Sequence, residues 1–280
     1  MFEFFTDIRH APFIVNAVVA AVLAAVAAGM VGSLVVVRRS TYLAGSVSHC
    51  VLAGLGLARL LQRRFGVEWF TPMVGALLAA LVAALILARF TARGSQRTDT
   101  VLSAVWTGGV ALGVSFIAMT PGYQDDLMSY LFGAIVLVTR EDLLWMVALN
   151  AVTLVTVCVC YTRFLAIAFN EELARLRGVN TLRYEVVYQV LTALTVVLLV
   201  RTVGIVLAIA LLTLPAATAG MLTRRLDRMM LVAVVIGVAV SVLGLALSYS
   251  PGLPPGATIV ELALVVYGVV LVFRKFRNAT

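Results

Sequence analysis

Nine apolar stretches, each close to the roughly 20 residues a helix needs to cross a bilayer, constrain this chain more than any other feature. They fall near residues 13–37, 43–61, 72–90, 100–119, 143–162, 185–201, 203–222, 229–248 and 257–273, and the pair around Arg201–Gly204 is open to a different cut. Lipid offers no partner to backbone N–H and C=O groups, so stretches of this length specify helices. The expected fold class is all-α: a polytopic membrane protein of eight to nine transmembrane helices. A shorter run, LMSYLFGAIVLVT at 127–139, is flanked by Asp125/Asp126 and Arg140/Glu141/Asp142. It is too short to cross comfortably and fits a half-buried or re-entrant helix.

Composition agrees with a membrane solvent. Hydrophobic residues make up 62% and charged residues 12% of the 280, against about half and about a quarter in soluble domains. The net charge of +8 does not point to nucleic acid, because no basic run interleaves with aromatics. It reports topology instead. If the loops after spans one, three, five, seven and nine share a side, they hold 15 of the 21 Lys and Arg, from Arg38/Arg39 to Arg274/Lys275/Arg277. The positive-inside rule makes that side cytoplasmic, with the N-terminus outside and the C-terminus inside. Arg59, Arg63 and Arg64 run against the rule. The start, MFEFFTDIRHAP, lacks the pattern of a cleaved leader. Cys50, Cys158 and Cys160 lie in apolar runs and are expected to pack as small hydrophobes rather than form disulfides.

The segment Tyr42–Leu57, YLAGSVSHCVLAGLGL, carries the chemistry. Its small residues suit close helix packing, so it reads as an internal helix. His49 sits in its middle, and an imidazole at that depth needs a partner, a cavity or a passing ion. A second intramembrane ionisable group is Glu261, about one turn inside the last span; a structural pair with Arg201 and a ligand role both remain open. In Thr202–Met230, Pro215 is expected to break an apolar span near its end. The small run Ala216–Gly220 and the charged turn Thr223–Arg228 follow it. Such a stub is either a lever for a cytoplasmic partner or a kink with topology anchors. In AFNEELARLRGVNTLRYE (168–185), Asn170 is a plausible N-cap and Gly178 a plausible terminator of a short surface helix, with Leu173 and Leu176 on its apolar side.

Several chemistries are absent. No G-x-x-x-x-G-K-[ST] loop occurs and the only lysine is Lys275, so the chain does not hydrolyse ATP itself. H-E-x-x-H and G-x-S-x-G are missing. Ser46 precedes His49 by three residues without an acid nearby, and hydroxyls in membrane helices usually bond to backbone carbonyls.

Four stretches in order resemble the membrane permease subunit of bacterial zinc/manganese-type ABC importers. They are VVVRRSTYLAGSVSHCVLAGLGLA (35–58), DLMSYLFGAIVLVTREDLL (126–144), AFNEELARLRGV (168–179), and VGIVLAIALLTLPAATAGML with GATIV (203–222 and 256–260). The resemblance implies a single permease domain over 1–280 in a bacterial cytoplasmic (inner) membrane. It implies a second copy of itself, a cytoplasmic ABC ATPase that binds the ATP, and an external metal-binding protein. The cargo would be a divalent transition metal, with no permanently bound cofactor. Pro215, Ala216, Ala217, Thr218, Arg224, Arg225 and Asp227 resemble the element that docks on the ATPase.

His49 matches the family's second-helix histidine. The aspartate usual four residues earlier, on the same helical face, is replaced by Gly45, and a frequent proline by Ala53. A lone imidazole suits Zn²⁺ better than Mn²⁺, which prefers oxygen, so zinc is favoured, with manganese or iron open. His49 could be completed by its symmetry mate, by Cys50 or by Glu261. The runner-up function is a permease for a metal chelate such as a siderophore or haem; an ATP-independent metal carrier is a third.

Overall fold

The computed structural model describes residues 12–92, 98–120, 133, 135–249 and 251–277, which are helical apart from turns and connections. Among the described residues nine helical spans are long and apolar enough to cross a membrane. In chain order the helices are α1 Pro12–Val37, α2 Thr41–Phe65, α3 Pro72–Ala92, α4 Thr98–Ala118, α5 Arg140–Phe169, the short α6 Glu171–Leu176, α7 Thr181–Leu222, α8 Leu226–Tyr249 and α9 Pro255–Arg277. Most of the expected half-helix lies outside the described residues. What is described there is a 3-10 turn at Ile135–Leu137 and Thr139, which caps α5 in a reciprocal capping box with Asp142.

α7 holds two spans, Thr181–Val200 and Val203–Leu222. Forty-two residues in one straight helix would reach about 63 Å, twice the hydrocarbon thickness. Both ends nevertheless lie beside the end of α1. Near the start of α7, Tyr188 shares a hydrogen bond with Ser40. Beyond its end, Arg224, Leu226 and Met229 share a cavity with Val36 and Val37. The chain reverses at Gly204, whose φ of 81° and ψ of 169° belong to a region open essentially to glycine alone. The uncertain cut at Arg201–Gly204 therefore falls on the glycine.

One end of the bundle gathers the arginines. Arg38, Arg39, Thr91 and Asp99 line one cavity there, and Phe169, Arg224, Arg225 and Arg274 line another. The loops grouped by the arginine count thus share a face.

α2 is interior, as its small residues demand: 72% of its most apolar window is buried, against 22% for α4, 17% for α5 and 22% for α9. Its crossings are made at backbone contact. A Cβ on Gly54 would lie 2.1 Å from the Gly75 carbonyl oxygen of α3, a distance no side chain tolerates. On α4, Gly109 and Gly113 meet the Cys50 and Ala53 backbone in the same way. Without a hydrophobic driving force between helices in lipid, such approach is what lets dispersion hold them together.

Two expectations fail. Pro215 does not break its span: φ/ψ stay helical through it to Leu222, and the extended Thr223 ends the helix. Proline removes one ladder bond, but Leu211, Leu212, Ala216 and Ala219 are fully packed around it, and neighbouring helices make such prolines tolerable in membranes. In α6 the cap and stop are as expected, with the Asn170 side chain accepting from Leu173 N–H at 2.9 Å and Gly178 at φ 79°. But Leu173 and Leu176 point outward, Leu176 being 84% exposed, and the helix packs through Ala174.

Candidate functional site

His49 lies two turns into α2, half-buried, on the side facing α4. Its imidazole stacks on the indole of Trp106, with centroids 4.4 Å apart and planes at 27°. Among the described residues no hydrogen bond engages either ring nitrogen, so both remain available to an ion. The same indole closes over Gly45, where an added Cβ would lie 2.9 Å from Trp106 Cζ3. The open cavity beside it, about 290 Å³, is lined by Thr41, Tyr42, Gly45, Trp106, Ile209 and Thr213. It contains no carboxylate. Thr213 donates its hydroxyl hydrogen to Ile209 O at 2.8 Å, which leaves only its oxygen lone pairs for a further partner.

The other proposed ligands are not brought to this point within one chain. The Cys50 thiol turns to α4 and donates to Val105 O at 3.4 Å. Glu261 is exposed on α9, a helix that packs chiefly on α7 and α8 rather than on α2. The side chain of its suggested partner, Arg201, lies outside the described residues. No group of three His, Cys, Asp or Glu side chains converges among the described residues.

At the arginine-rich end, the link between α7 and α8 is only Thr223–Arg225. Ala216 and Thr218 are buried, while Leu222, Arg224, Arg225, Asp227 and Arg228 are exposed. Arg225 forks onto Asp227, with Nε–Oδ1 at 3.2 Å and Nη2–Oδ2 at 2.9 Å.

The profile of the ABC 3 transport family matches residues 10–274. The chain belongs to that family. A Synechocystis protein described as an uncharacterized membrane protein is 37% identical over 98% of this chain and 95% of its own length. A "Probable metal transport system membrane protein" of Chlamydia trachomatis is 31% identical over 96% of this chain and 92% of its own. The manganese import system permease protein ScaB of Streptococcus parasanguinis is 29% identical over 92% and 89%. Among solved structures, PsaBC from Streptococcus pneumoniae in complex with Fab superposes with a TM-score of 0.83 at 28% identity, covering 96% of this chain and 94% of that one. The zinc/manganese-type permease resemblance read from four short stretches therefore holds over nearly the whole chain.

This ABC 3 family chain differs from the expectation in what surrounds His49. Trp106 had no marker in sequence beyond its place: an aromatic mid-span, among small residues, away from the interfacial belts where tryptophan concentrates. Arg38 reads in sequence only as a topology anchor, and its cluster with Glu185 and Tyr188 is not foreseen there. Arg38 reaches Glu185 at 2.5 Å with both side chains largely buried, and its guanidinium lies 4.5 Å over the Tyr188 ring.

Proposed function

We propose that this chain is the membrane subunit of an ATP-driven importer for a divalent transition metal, with zinc favoured, and that the ion passes His49. The observation that carries the reading is a stacked, half-buried imidazole with unspent nitrogens on the interior helix of a chain whose relatives are described as metal permeases. In this reading residues 1–280 form one permease domain in the bacterial cytoplasmic membrane, with the arginine-rich face inside and the N-terminus outside. The chain pairs with a second copy so that two His49 side chains approach one pathway. An external metal-binding protein delivers the ion, and a separate cytoplasmic subunit binds and hydrolyses ATP.

The docking element on that ATPase is the exposed link around Arg224, Arg225 and Asp227, with Pro215, Ala216, Ala217 and Thr218 forming the packed helix that carries it. Zinc is favoured because the ionisable group against Trp106 is an imidazole, while the cavity beside that indole holds hydroxyls but no carboxylate. Manganese is the second reading, supported by the names of ScaB and of the Listeria MntC proteins, 28% identical. A bulky chelate fits less well, since Trp106 occupies the space beside His49. The test is metal uptake into vesicles holding the permease with its ATPase. Uptake should require ATP, and His49→Ala should abolish it at normal protein levels. Uptake without ATP, or undiminished uptake by the variant, refutes the reading.

A further inference from the structure

One aromatic ring governs two positions of α2. Residues 45 and 49 stand on the same helical face, so a side chain at 45 would reach the space beside the imidazole. That space is taken. The six-membered part of the Trp106 indole lies over Gly45, with Cζ3, Cη2 and Cε3 at 2.9, 3.5 and 3.6 Å from where a Cβ would stand. Its ring system also stacks on His49. The indole is held from behind: Cys50 donates to the carbonyl of Val105, the residue before it. Gly109, one turn further along α4, lies on the Cys50 backbone. Tyr42 flanks the other side at 6.2 Å.

We propose that Trp106 is the selectivity-determining residue of the His49 site: its indole positions the imidazole and keeps position 45 free of any oxygen ligand. The site then accepts ions content with nitrogen ligands and discriminates against those that require carboxylate oxygen. Gly45 and Trp106 form one device, because a carboxylate can enter at 45 only if the indole leaves. The inference rests on the metal-transport reading above.

The experiment uses the purified permease–ATPase complex and titrates ZnCl₂ and MnCl₂ separately, without the external binding protein, whose own preference would mask that of the pathway. Trp106→Phe, which retains a stacked ring, should keep the zinc-to-manganese affinity ratio. Trp106→Ala should lower it by about tenfold or more, the scale on which a residue supporting a ligand acts. Gly45→Asp alone should gain no manganese affinity, whereas Gly45→Asp with Trp106→Ala should gain it. Should Trp106→Ala not yield folded complex, Trp106→Val, which is smaller than the indole and cannot stack, carries the same expectations. An unchanged ratio in Trp106→Ala, or a manganese gain from Gly45→Asp alone equal to that of the pair, overturns the proposal. His49→Ala separates the two claims. If it binds zinc like the parent, the transport reading fails; if it alone loses zinc while the Trp106 variants are unaltered, only the selectivity device fails.

Discussion

Replacing Glu185 by alanine should destabilise the protein more than any exposed charge removal. Glu185 accepts from Arg38 at 2.5 Å and from the Gln189 side-chain amide at 3.0 Å, and the Arg38 and Glu185 side chains are only 14% and 6% exposed. Removing one member of a buried pair leaves the other charge desolvated and unmatched, which costs about 3–5 kcal/mol. Residual exposure of Arg38 and its place over the Tyr188 ring put the expected loss at the lower end, roughly 3 kcal/mol. Soluble chains of 150–250 residues lose 2–4 °C per kcal/mol, so the thermal transition in detergent should fall by roughly 6–12 °C. The double replacement Arg38→Met with Glu185→Leu removes both charges and keeps apolar volume, and should recover most of that loss. A shift below about 2 °C for Glu185→Ala, or a double variant as unstable as the sum of the singles, would refute the argument that this pair ties the α1–α2 turn to α7.

Gly204→Ala forces a Cβ into φ 81°, ψ 169°; the strain, about 1–3 kcal/mol, should appear as a lower melting temperature and a smaller yield of folded protein. Gly54→Ala should be far worse than Gly108→Ala, because the first drives a Cβ to 2.1 Å from the Gly75 carbonyl while the second meets nothing within 4 Å; comparison of folded yields by size exclusion checks it. The Arg225–Asp227 pair is 67% and 46% exposed, so solvent screens it and it should contribute little to stability. Arg225→Ala should therefore leave the melt unchanged, and a loss of ATPase co-purification in that variant would assign the pair to docking.

The spans were legible because hydropathy measures the solvent each segment needs, and the interior place of α2 was legible from its glycines and alanines. The helices nonetheless overrun the apolar runs. α5 extends from Arg140 to Phe169 where hydropathy marks 143–162, since an apolar run records the hydrocarbon and not the last turns at its surface. Pro215 misled for a related reason: its breaking tendency is set in water, where the freed groups and the unwound chain are solvated. Buried between packed helices, unwinding would strand more backbone than the proline does. His49 could be found from sequence as a lone imidazole in an apolar segment. Its ring partner could not, because α2 and α4 meet through tertiary packing, and the Arg38–Glu185 pair joins positions 147 apart.

The unbroken limb Val203–Leu222 gives the packing a mechanical consequence. Ile209 and Thr213 line the cavity beside Trp106, and Ala217, Gly220, Met221 and Thr223 line the cavity at the arginine-rich end. From Thr213 to Thr223 is about 15 Å of helix. The link that follows has three residues, and Leu226 and Met229 are buried directly beyond it. So short a connection has little slack with which to absorb a displacement. A force applied at Arg224 and Arg225 must either move the limb, and with it one wall of the cavity beside Trp106, or bend it. Bending concentrates where the ladder is weakest, at the carbonyl of Leu211 that Pro215 leaves without its N–H donor. The weakened turn, Leu211 to Pro215, passes Thr213 and ends short of Ala217, at the edge of the cavity beside Trp106. Pro215 is thus better understood as the compliant joint of a continuous rod than as its end.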